Sequence, residues 1–473
     1  MATAESQSGI LRLSADGRTA SDNWGKVAFF LIVGYLCAGR SFAYLGLPWI
    51  RLYVGEMTLA AFLLFGPKTK QGRWLWVARR VPGLRRFERV LLPLLCYGAF
   101  EALRGILSGY PALTAARDTA FNYYPLFLFL GIWVGLRDSG FLGRALRALA
   151  WWNGCYGLAY VFFLNRLSWT MPGTSGAPSP VPLFGQPYGS AMALLGLIAF
   201  EPRLGRLWHL IALNTLVLLC MQIRAEWVGF LVGVLVFAWC TKRLKRLSIA
   251  GALLVVLIGA MYLAKIDLPS PTGRGGRISA HSLVARAVAP FSPSLASHLA
   301  PPGNVTGFAG TAQWRLVWWA SIWKAVHANA SRALFGFGYG YPIGDLNPFI
   351  VPGAFIQTPH SDFFYALGFS GWIGVVLFGL LQIELLRLLW RSYKITCQPF
   401  GLMCWTALLA GSMFQDFFEA PFGAIPFYLL VGVALAPGLL CATVAPAAEG
   451  VLLIPPGART PESQERRGPR ARE

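Results

Sequence analysis

The segment Pro359-His360-Ser361-Asp362 leads directly into a long apolar run, DFFYALGFSGWIGVVLFGLLQIELLRLL, over residues 362–389. About 20 apolar residues in an α-helix are enough to cross the hydrocarbon core of a bilayer. The sequence therefore predicts a membrane span with a polar segment at its mouth. A histidine in that position can accept or donate a proton near neutral pH.

The composition of the whole chain is that of a membrane protein. The 473 residues are 56% hydrophobic and 13% charged, whereas soluble domains carry about 25% charged residues. We predict an all-α polytopic membrane protein of about twelve transmembrane helices. The apolar runs place them at residues 27–47, 48–66, 90–108, 119–136, 145–164, 186–201, 207–222, 225–240, 247–264, 362–389, 400–418 and 423–441.

The formal net charge of +21 reflects membrane topology rather than nucleic-acid binding. Basic residues cluster in alternate loops, as the positive-inside rule requires, and this pattern puts both termini in the cytoplasm. In these loops the basic side chains would contact anionic lipid. The clusters occur at Lys68 to Arg89, Arg137 to Arg147, Arg203 and Arg206, Lys242 to Arg246, and Arg387 to Lys394.

This topology divides the chain into five parts. We predict a cytoplasmic N-terminal tail (1–26), helices one to nine (27–264), a large outer loop (265–361), helices ten to twelve (362–441) and a disordered cytoplasmic tail (442–473).

Two patterns stand out in the second half of the outer loop. Tryptophans at helical spacing over residues 313–328 predict an amphipathic helix at the membrane interface, and a helix packed on other spans fits the same pattern. The run Phe335-Gly336-Phe337-Gly338-Tyr339-Gly340 follows. Because glycine adopts positive φ, we interpret this run as a tight turn that approaches a ligand or the helices below.

Three residues are candidates for chemistry: Arg224, Arg315 and His360. Arg224 interrupts an apolar stretch, which is costly at membrane depth, so it should face protein, water or a ligand. An internal ion pair with Glu226 is the alternative. Arg315 lies among the tryptophans and would by itself be a snorkelling interfacial arginine. Two guanidinium groups and a histidine on the outer side indicate an anionic head group, since guanidinium binds phosphate with two parallel hydrogen bonds.

The sequence gives no support for a metal or a nucleotide cofactor. No His or Cys pair has zinc-ligand spacing, no Asp-x-Asp occurs, and no phosphate-binding glycine loop is present. Asp362 could orient the imidazole of His360, or be an acidic residue favoured at a helix N-terminus.

The order of these motifs resembles the bacterial O-antigen ligase family. The match consists of Ile223-Arg224-Ala225-Glu226-Trp227, the Arg-containing tryptophan helix, the Phe335–Gly340 run, and His360-Ser361-Asp362-Phe363-Phe364 leading into Gly368 to Gly374. The same superfamily holds O-antigen polymerases and some protein O-oligosaccharyltransferases. In the family the first motif usually reads Ser-Arg-Gly, so here only the arginine of that motif is kept.

The resemblance implies a GT-C-like glycosyltransferase of the bacterial inner membrane. Such an enzyme would transfer O-antigen glycan from undecaprenyl diphosphate to lipid A–core at the periplasmic face, by metal-independent inverting chemistry. Arg224 and Arg315 would bind the diphosphate, and His360 would act as the general base or position the acceptor. No cofactor is expected; the partners would be the lipid-linked donor, the lipid A–core acceptor and membrane lipids.

Three other functions fit parts of the sequence. An O-antigen polymerase would use the same donor and motifs, although a single long outer loop between helices nine and ten favours the ligase. A protein O-glycosyltransferase should carry additional acceptor-recognition segments, which we do not find. A transporter or flippase could use Glu56, Glu101, Asp416 and Glu419 as a relay, but repeated halves are not evident. Pairing with nearby groups at helix ends is the simpler explanation of these acids.

Overall fold

A computed structural model of the protein describes residues 18–47, 52–66, 82–164, 167–172, 178–184, 188–200, 207–243, 255–256, 258–269, 277–289, 292–299, 305–349 and 358–449. Most of these residues are helical, in agreement with the predicted all-α class. The described strands form short antiparallel ribbons: β1 (Gly46–Leu47) with β2 (Leu52–Tyr53), β3 (Ser168–Pro172) with β4 (Pro178–Pro182), and β5 (Asp267–Pro269) with β6 (Arg277–Ser279).

The helices of the first half of the chain are α1 (Arg18–Ala38), α2 (Arg40–Ala43), α3 (Val54–Phe65), α4 (Pro82–Leu107), α5 (Ala112–Asp118), α6 (Ala120–Tyr123), α7 (Phe127–Arg137), α8 (Phe141–Ala159) and α9 (Tyr188–Phe200). A 3-10 turn (Tyr124–Leu126) joins α6 to α7, and a π-helical turn (Tyr160–Leu164) ends α8.

The second half contains α10 (Trp208–Met221), α11 (Arg224–Thr241), α12 (Ala280–Val288), α13 (Pro293–Leu299), α14 (Val305–Val326), α15 (Ala330–Phe335), α16 (Asp362–Thr396), α17 (Phe400–Ser412) and α18 (Pro421–Glu449). A 3-10 turn (Ile343–Leu346) follows α15. Helices α12 to α15 therefore lie within the predicted outer loop.

Five helices are long and apolar enough to cross a membrane by length and composition: Leu84–Leu107, Ala112–Arg137, Arg224–Thr241, Asp362–Thr396 and Pro421–Cys441. Shorter apolar helices occur at Asn23–Ala38, Val54–Phe65, Tyr188–Phe200, Trp208–Met221 and Phe400–Ser412. Helical residues occupy, at least in part, all the predicted span positions. In 247–264 the helical residues are 255–256 and 258–263, and residues 247–254 and 257 lie outside the described residues. The count of twelve spans stays a prediction.

Two predicted spans end earlier than we expected from the sequence. The first, 27–47, is interrupted because Gly39 adopts φ 55° and ψ −122°, so α1 ends at Ala38. The eleventh, 400–418, is helical only to Ser412, and residues 413–420 are irregular. There the backbone N–H groups of Phe417 and Phe418 donate to the Asp362 carboxylate instead of continuing a helix.

Helix α18 is at the centre of the bundle. Its side chains from Phe427 to Val431 are at most 1% exposed. It packs closely against α7 through glycines: a Cβ atom on Gly131 would lie 2.4 Å from the Leu429 carbonyl oxygen, and one on Gly432 would lie 2.4 Å from that of Leu128. Small residues at such contacts let helix backbones approach each other, a common device in membrane bundles.

Helix α16 is broken at Gly371, which has φ 62° and ψ −165°. A break of this kind leaves the carbonyl groups of the preceding turn without the amides of the following turn. The glycine-rich turn after α15 supplies two replacements, because Phe337 N–H donates to Gly368 O (2.8 Å) and Gly338 N–H to Phe369 O (2.9 Å). The Tyr97 hydroxyl donates to Ser370 O (2.7 Å).

The break also redirects the first part of α16. Helices α16 and α17 are joined by a short turn between Thr396 and Phe400. Measured from that turn, a straight α16 of 35 residues would be about 52 Å long, whereas the 13 residues of α17 rise only about 20 Å. Asp362 nevertheless bonds to Phe417 and Phe418, a few residues after α17 ends. Residues 362–370 therefore turn back toward the end of α17. We refer to this end of the bundle, where α16 begins and α17 ends, as the His360 end.

Substitution of Gly371 by alanine should destabilise the fold. The φ/ψ values of Gly371 are almost exclusive to glycine and cost other residues about 1–3 kcal/mol. An added Cβ would also lie 2.4 Å from Leu334 O and 2.5 Å from Gly336 N. We expect a lower melting temperature for Gly371→Ala in detergent, measured by tryptophan fluorescence.

The matched control is Gly379→Ala in the same helix. A Cβ at Gly379 meets no heavy atom within 4 Å, and alanine is favoured over glycine in a helix by about 1 kcal/mol. The control should melt at or above the wild-type temperature. Equal melting of Gly371→Ala and the wild type would contradict the role assigned to the break.

Candidate functional site

His360 and Asp416 form the centre of the candidate site. The imidazole Nδ1 lies 3.2 Å from Asp416 Oδ2, at ion-pair distance. The His360 side chain is 24% exposed and that of Asp416 is 7% exposed. With Nδ1 directed at the carboxylate, Nε2 is the nitrogen available to a substrate, and an anionic partner stabilises positive charge on the ring.

The backbone brings His360 to Asp416 in an unusual conformation. His360 has φ 52°, in the left-handed region that residues with a Cβ rarely adopt. Two residues earlier, the Thr358 hydroxyl donates to Asp416 Oδ2 (2.7 Å). One residue earlier, Pro359 O accepts from the indole N–H of Trp319 (2.7 Å). Strained residues that are held from several sides often mark functional positions.

Arg315 reaches the same segment of chain as His360. Its Nη1 donates to Phe414 O (3.0 Å), two residues before Asp416. Arg315 comes from the first half of α14 and is half-buried. The structure therefore brings this predicted site residue and His360 together around residues 414–416.

Arg224 also lies at the His360 end. It is the first residue of α11, which packs along α17 so closely that a Cβ on Gly229 would lie 2.5 Å from Ala407 O. Arg224 is half-buried, and its charge and that of Arg315 are close enough to repel each other. Glu226, its alternative partner from the sequence, is 2% exposed on the first turn of the same helix. All three predicted site residues thus converge at the end of α17.

The tryptophan helix α14 is packed rather than only interfacial. Trp318, Ile322 and Val326 are fully buried, and the Trp318 indole donates to Ile343 O (3.1 Å). Trp323 is 44% exposed, so the helix keeps an open face as well. Of the two interpretations of the sequence pattern, packing against other elements is confirmed.

The glycine-rich run forms the predicted tight turn against neighbouring helices. Gly336, Gly338 and Gly340 all have positive φ, between 66° and 89°. Arg104 of α4 donates to the carbonyl oxygens of Phe335 (2.6 Å) and Gly336 (3.2 Å). This turn holds helices together and does not contact His360 directly.

Asp362 fixes the position of the 413–420 segment. Its Oδ2 accepts hydrogen bonds from the backbone N–H groups of Phe417 (3.0 Å) and Phe418 (3.1 Å). It is also the first residue of α16, as expected for an acid at a helix N-terminus. The group that faces His360 Nδ1 is Asp416, so the carboxylate that orients the imidazole is not the one suggested by the sequence.

The sequence analysis did not identify Asp416 as the partner of His360, and it did not single out Arg104 at all. Asp416 was assigned to a span or a transporter relay, whereas it lies in the irregular segment beside His360. Glu101, another relay candidate, bonds to Arg104 at 2.5 Å. A signal for the Glu101–Arg104 pair was available, because acid and base lie three residues apart on one helix. No local signal connects Asp416 with His360, which is 56 residues away.

Charge at the site is set by burial and by neighbours. Burial favours a raised pKa for Asp416, but the His360 imidazole and the Thr358 hydroxyl outweigh it and lower the pKa to about 2. Burial raises the pKa of Glu419, the Asp416 charge raises it further, and Arg117 opposes the shift. Asp416 is therefore the anionic partner of His360 at neutral pH.

The described residues offer no group of three or more His, Cys, Asp or Glu side chains placed to hold a metal ion. The site instead combines a partly exposed imidazole, a buried carboxylate and two guanidinium groups. Such a set can accept a proton at the imidazole and stabilise negative charge at the guanidinium groups.

Fold and site together define a helical membrane protein with a His–Asp pair and two arginines at one end of its bundle. Residues 209–379 match the family described as O-antigen ligase. This match confirms, over residues 209–379, the resemblance found in the sequence, and proteins of that family are glycosyltransferase-like enzymes of the ligase and polymerase type. No curated protein matches the chain.

The lowered pKa of Asp416 predicts how stability changes with pH. An Asp with a pKa near 4 when unfolded and about 2 when folded stabilises the fold by on the order of 2 kcal/mol above pH 4. This contribution is lost as the pH falls from about 4 to about 2. Melting temperatures of wild type and Asp416→Asn should therefore differ most above pH 4 and converge toward pH 2.

Asp345→Asn is the control, since Asp345 is exposed and such surface changes shift stability by no more than about 0.5 kcal/mol. A constant gap between wild type and Asp416→Asn from pH 2 to pH 5 would show that the carboxylate charge is not the stabilising feature.

Proposed function

We propose that the protein is an O-antigen ligase that transfers O-antigen glycan from undecaprenyl diphosphate to lipid A–core. The observation that carries the proposal is the convergence of His360, Asp416 and Arg315 on residues 414–416, with Arg224 beside them. The ligase family domain supports the reaction type. The reaction is metal-independent and inverting, in a GT-C-like arrangement of about twelve spans.

His360 is the general base in this proposal. The acceptor hydroxyl oxygen attacks the anomeric carbon of the donor glycan, and its proton passes to the imidazole Nε2. Asp416, 3.2 Å from Nδ1, stabilises the imidazolium as it forms. Since the ring is 24% exposed, the proton can then pass to water.

Arg224 and Arg315 act on the leaving group. The bond between the anomeric carbon and the diphosphate oxygen breaks, and its electron pair stays on the diphosphate. Preorganised cations at that position stabilise the developing charge, as a metal ion does in other transferases. The two guanidinium groups repel each other when no anion lies between them, which favours the binding of a dianionic group.

The location of the site suits two lipid-linked substrates. The site lies at the end of apolar helices, so a polyprenyl chain can remain in the bilayer while its diphosphate reaches the arginines. In the orientation of the positive-inside rule, this end faces the periplasm of the bacterial inner membrane and both termini are cytoplasmic.

A polymerase would use the same residues and the same donor, with a second lipid-linked glycan as acceptor. The predicted single long loop between helices nine and ten, which contains α12 to α15, favours the ligase. The transporter alternative loses support because Glu101 is paired with Arg104 and Glu56 accepts from the Tyr124 hydroxyl (2.8 Å).

Purified protein should join undecaprenyl diphosphate-linked O-antigen to lipid A–core in the presence of EDTA and without nucleotide. His360→Ala should lower the rate by about 10²–10⁴-fold, the usual contribution of a general base. The rate is followed by gel mobility of the lipid A–core product, with folding checked by size-exclusion chromatography.

His327→Ala is the matched control, since His327 is exposed at the end of α14 and bonds to the Trp372 indole (3.1 Å). It should retain wild-type activity. A wild-type rate in folded His360→Ala would exclude His360 as the base. Longer lipid-linked glycan from donor alone, with no product on lipid A–core, would establish the polymerase instead.

Replacing either arginine should slow the chemical step. Loss of one preorganised donor to a developing anion typically costs about 10²–10³-fold in kcat, and we expect this for Arg224→Ala and Arg315→Ala. The lysine variants should fall in between, because they keep the charge and lose the bidentate geometry. Single-turnover rates at saturating donor measure the effect.

Arg332→Ala provides the comparison for these variants. Arg332 is an exposed arginine on α15, 5.3 Å from the Phe337 ring, and its loss should leave kcat unchanged. Equal losses in Arg332→Ala and Arg315→Ala would point to a general electrostatic effect on lipid binding and against a specific diphosphate site.

A further inference from the structure

Helix α14 contributes a second group to the site, one turn after Arg315. The indole of Trp319 lies between the Phe364 ring (5.1 Å between centroids, 12° between planes) and the backbone before His360. Its N–H donates to the carbonyl oxygen of Pro359 at 2.7 Å. Pro359 is buried, so an unsatisfied carbonyl there would be costly.

This hydrogen bond acts at the point where the chain is strained. The left-handed conformation of His360 is unfavourable for a residue with a Cβ, and it persists only where surrounding contacts hold it. Trp319 holds position 359, Thr358 bonds to Asp416, and Asp362 bonds to Phe417 and Phe418. Among these contacts, the one from Trp319 links His360 to the helix that carries Arg315.

We propose that Trp319 is a positioning residue that, through its hydrogen bond to Pro359, fixes the imidazole of His360 relative to Arg315. The inference rests on the proposed function, since it assigns His360 to the base and Arg315 to the leaving group. Residues four apart lie on the same face of a helix. Arg315 and Trp319 are thus one turn apart on α14, and the Trp319 hydrogen bond to Pro359 joins the segment that carries the base to the helix that carries the diphosphate-binding cation.

The ring of Trp319 has a separate packing role, which makes the hydrogen bond testable by itself. Trp319→Phe keeps an aromatic ring against Phe364 and removes only the donor and part of the indole. Small displacements of a catalytic group cost up to about 10²-fold. We expect kcat to fall by about 10- to 100-fold with the donor KM changed less than about twofold.

Trp323→Phe is the matched control. Trp323 lies one turn further along α14, where it packs 4.2 Å from the His327 ring and is 44% exposed. The same chemical change at this position should leave kcat at the wild-type value. A similar loss in both variants would overturn the proposal in favour of a general role of α14 in stability.

The decisive measurement is the double variant Trp319→Phe/His360→Ala. If Trp319 acts through His360, adding Trp319→Phe to His360→Ala should change kcat little, because the imidazole that Trp319 positions is already absent. Groups that act together in this way have non-additive effects. A further 10- to 100-fold loss in the double variant would show that Trp319 acts on something other than His360.

Two additional measurements separate the possible failures. Should Trp319→Phe fail to fold, 3-benzothienylalanine at position 319 keeps the ring shape and removes the N–H alone, and it should give the same kcat loss. Wild-type kinetics in that protein would overturn the inference. No glycan transfer by the wild type itself would instead overturn the proposed function, so the two failures are distinguishable.

Discussion

The close crossing of two glycine backbones is the constraint on which the rest of the structure depends. Gly336 and Gly371 approach so closely that a Cβ on either would lie within 2.7 Å of backbone atoms of the other segment. This contact is possible only because α16 is broken, and the break is tolerated because the turn after α15 satisfies the carbonyl groups that it releases. The two glycine-containing motifs are thus one structural unit.

The candidate site is assembled from four separate parts of the chain, and the segment that carries His360 is held by Trp319 at Pro359 and by the bond from Thr358 to Asp416. Helix α14 is anchored by the buried Trp318 and carries Arg315 and Trp319. The 413–420 segment is held through Asp362 and carries Asp416. Helix α11 brings Arg224 through its close packing on α17. Arg315 and His360 meet at residues 414–416 and Arg224 lies close to Arg315, so displacement of one part would separate the base from the cations.

The sequence predicted the features that are local and missed those that depend on tertiary contact. The apolar runs, the turn at Phe335–Gly340 and the three site residues follow from composition and motif order. The end of α17 could not be predicted, because Met413, Phe414, Phe417 and Phe418 continue the apolar pattern beyond it. Only the bonds to Asp362 show that this stretch leaves the helix, and only the fold brings Asp416 to His360.

The break at Gly371 separates the site from changes in the tilt of the membrane span that follows it. Residues 372–389, the apolar part of this span, extend about 27 Å as a helix, close to the roughly 30 Å hydrocarbon core, so the span can respond to bilayers of different thickness by changing its tilt. A continuous helix would carry that tilt into residues 362–370 and move Asp362. With a non-helical joint between them, bilayers of different thickness can change the angle of the span while the contacts around His360 stay in register.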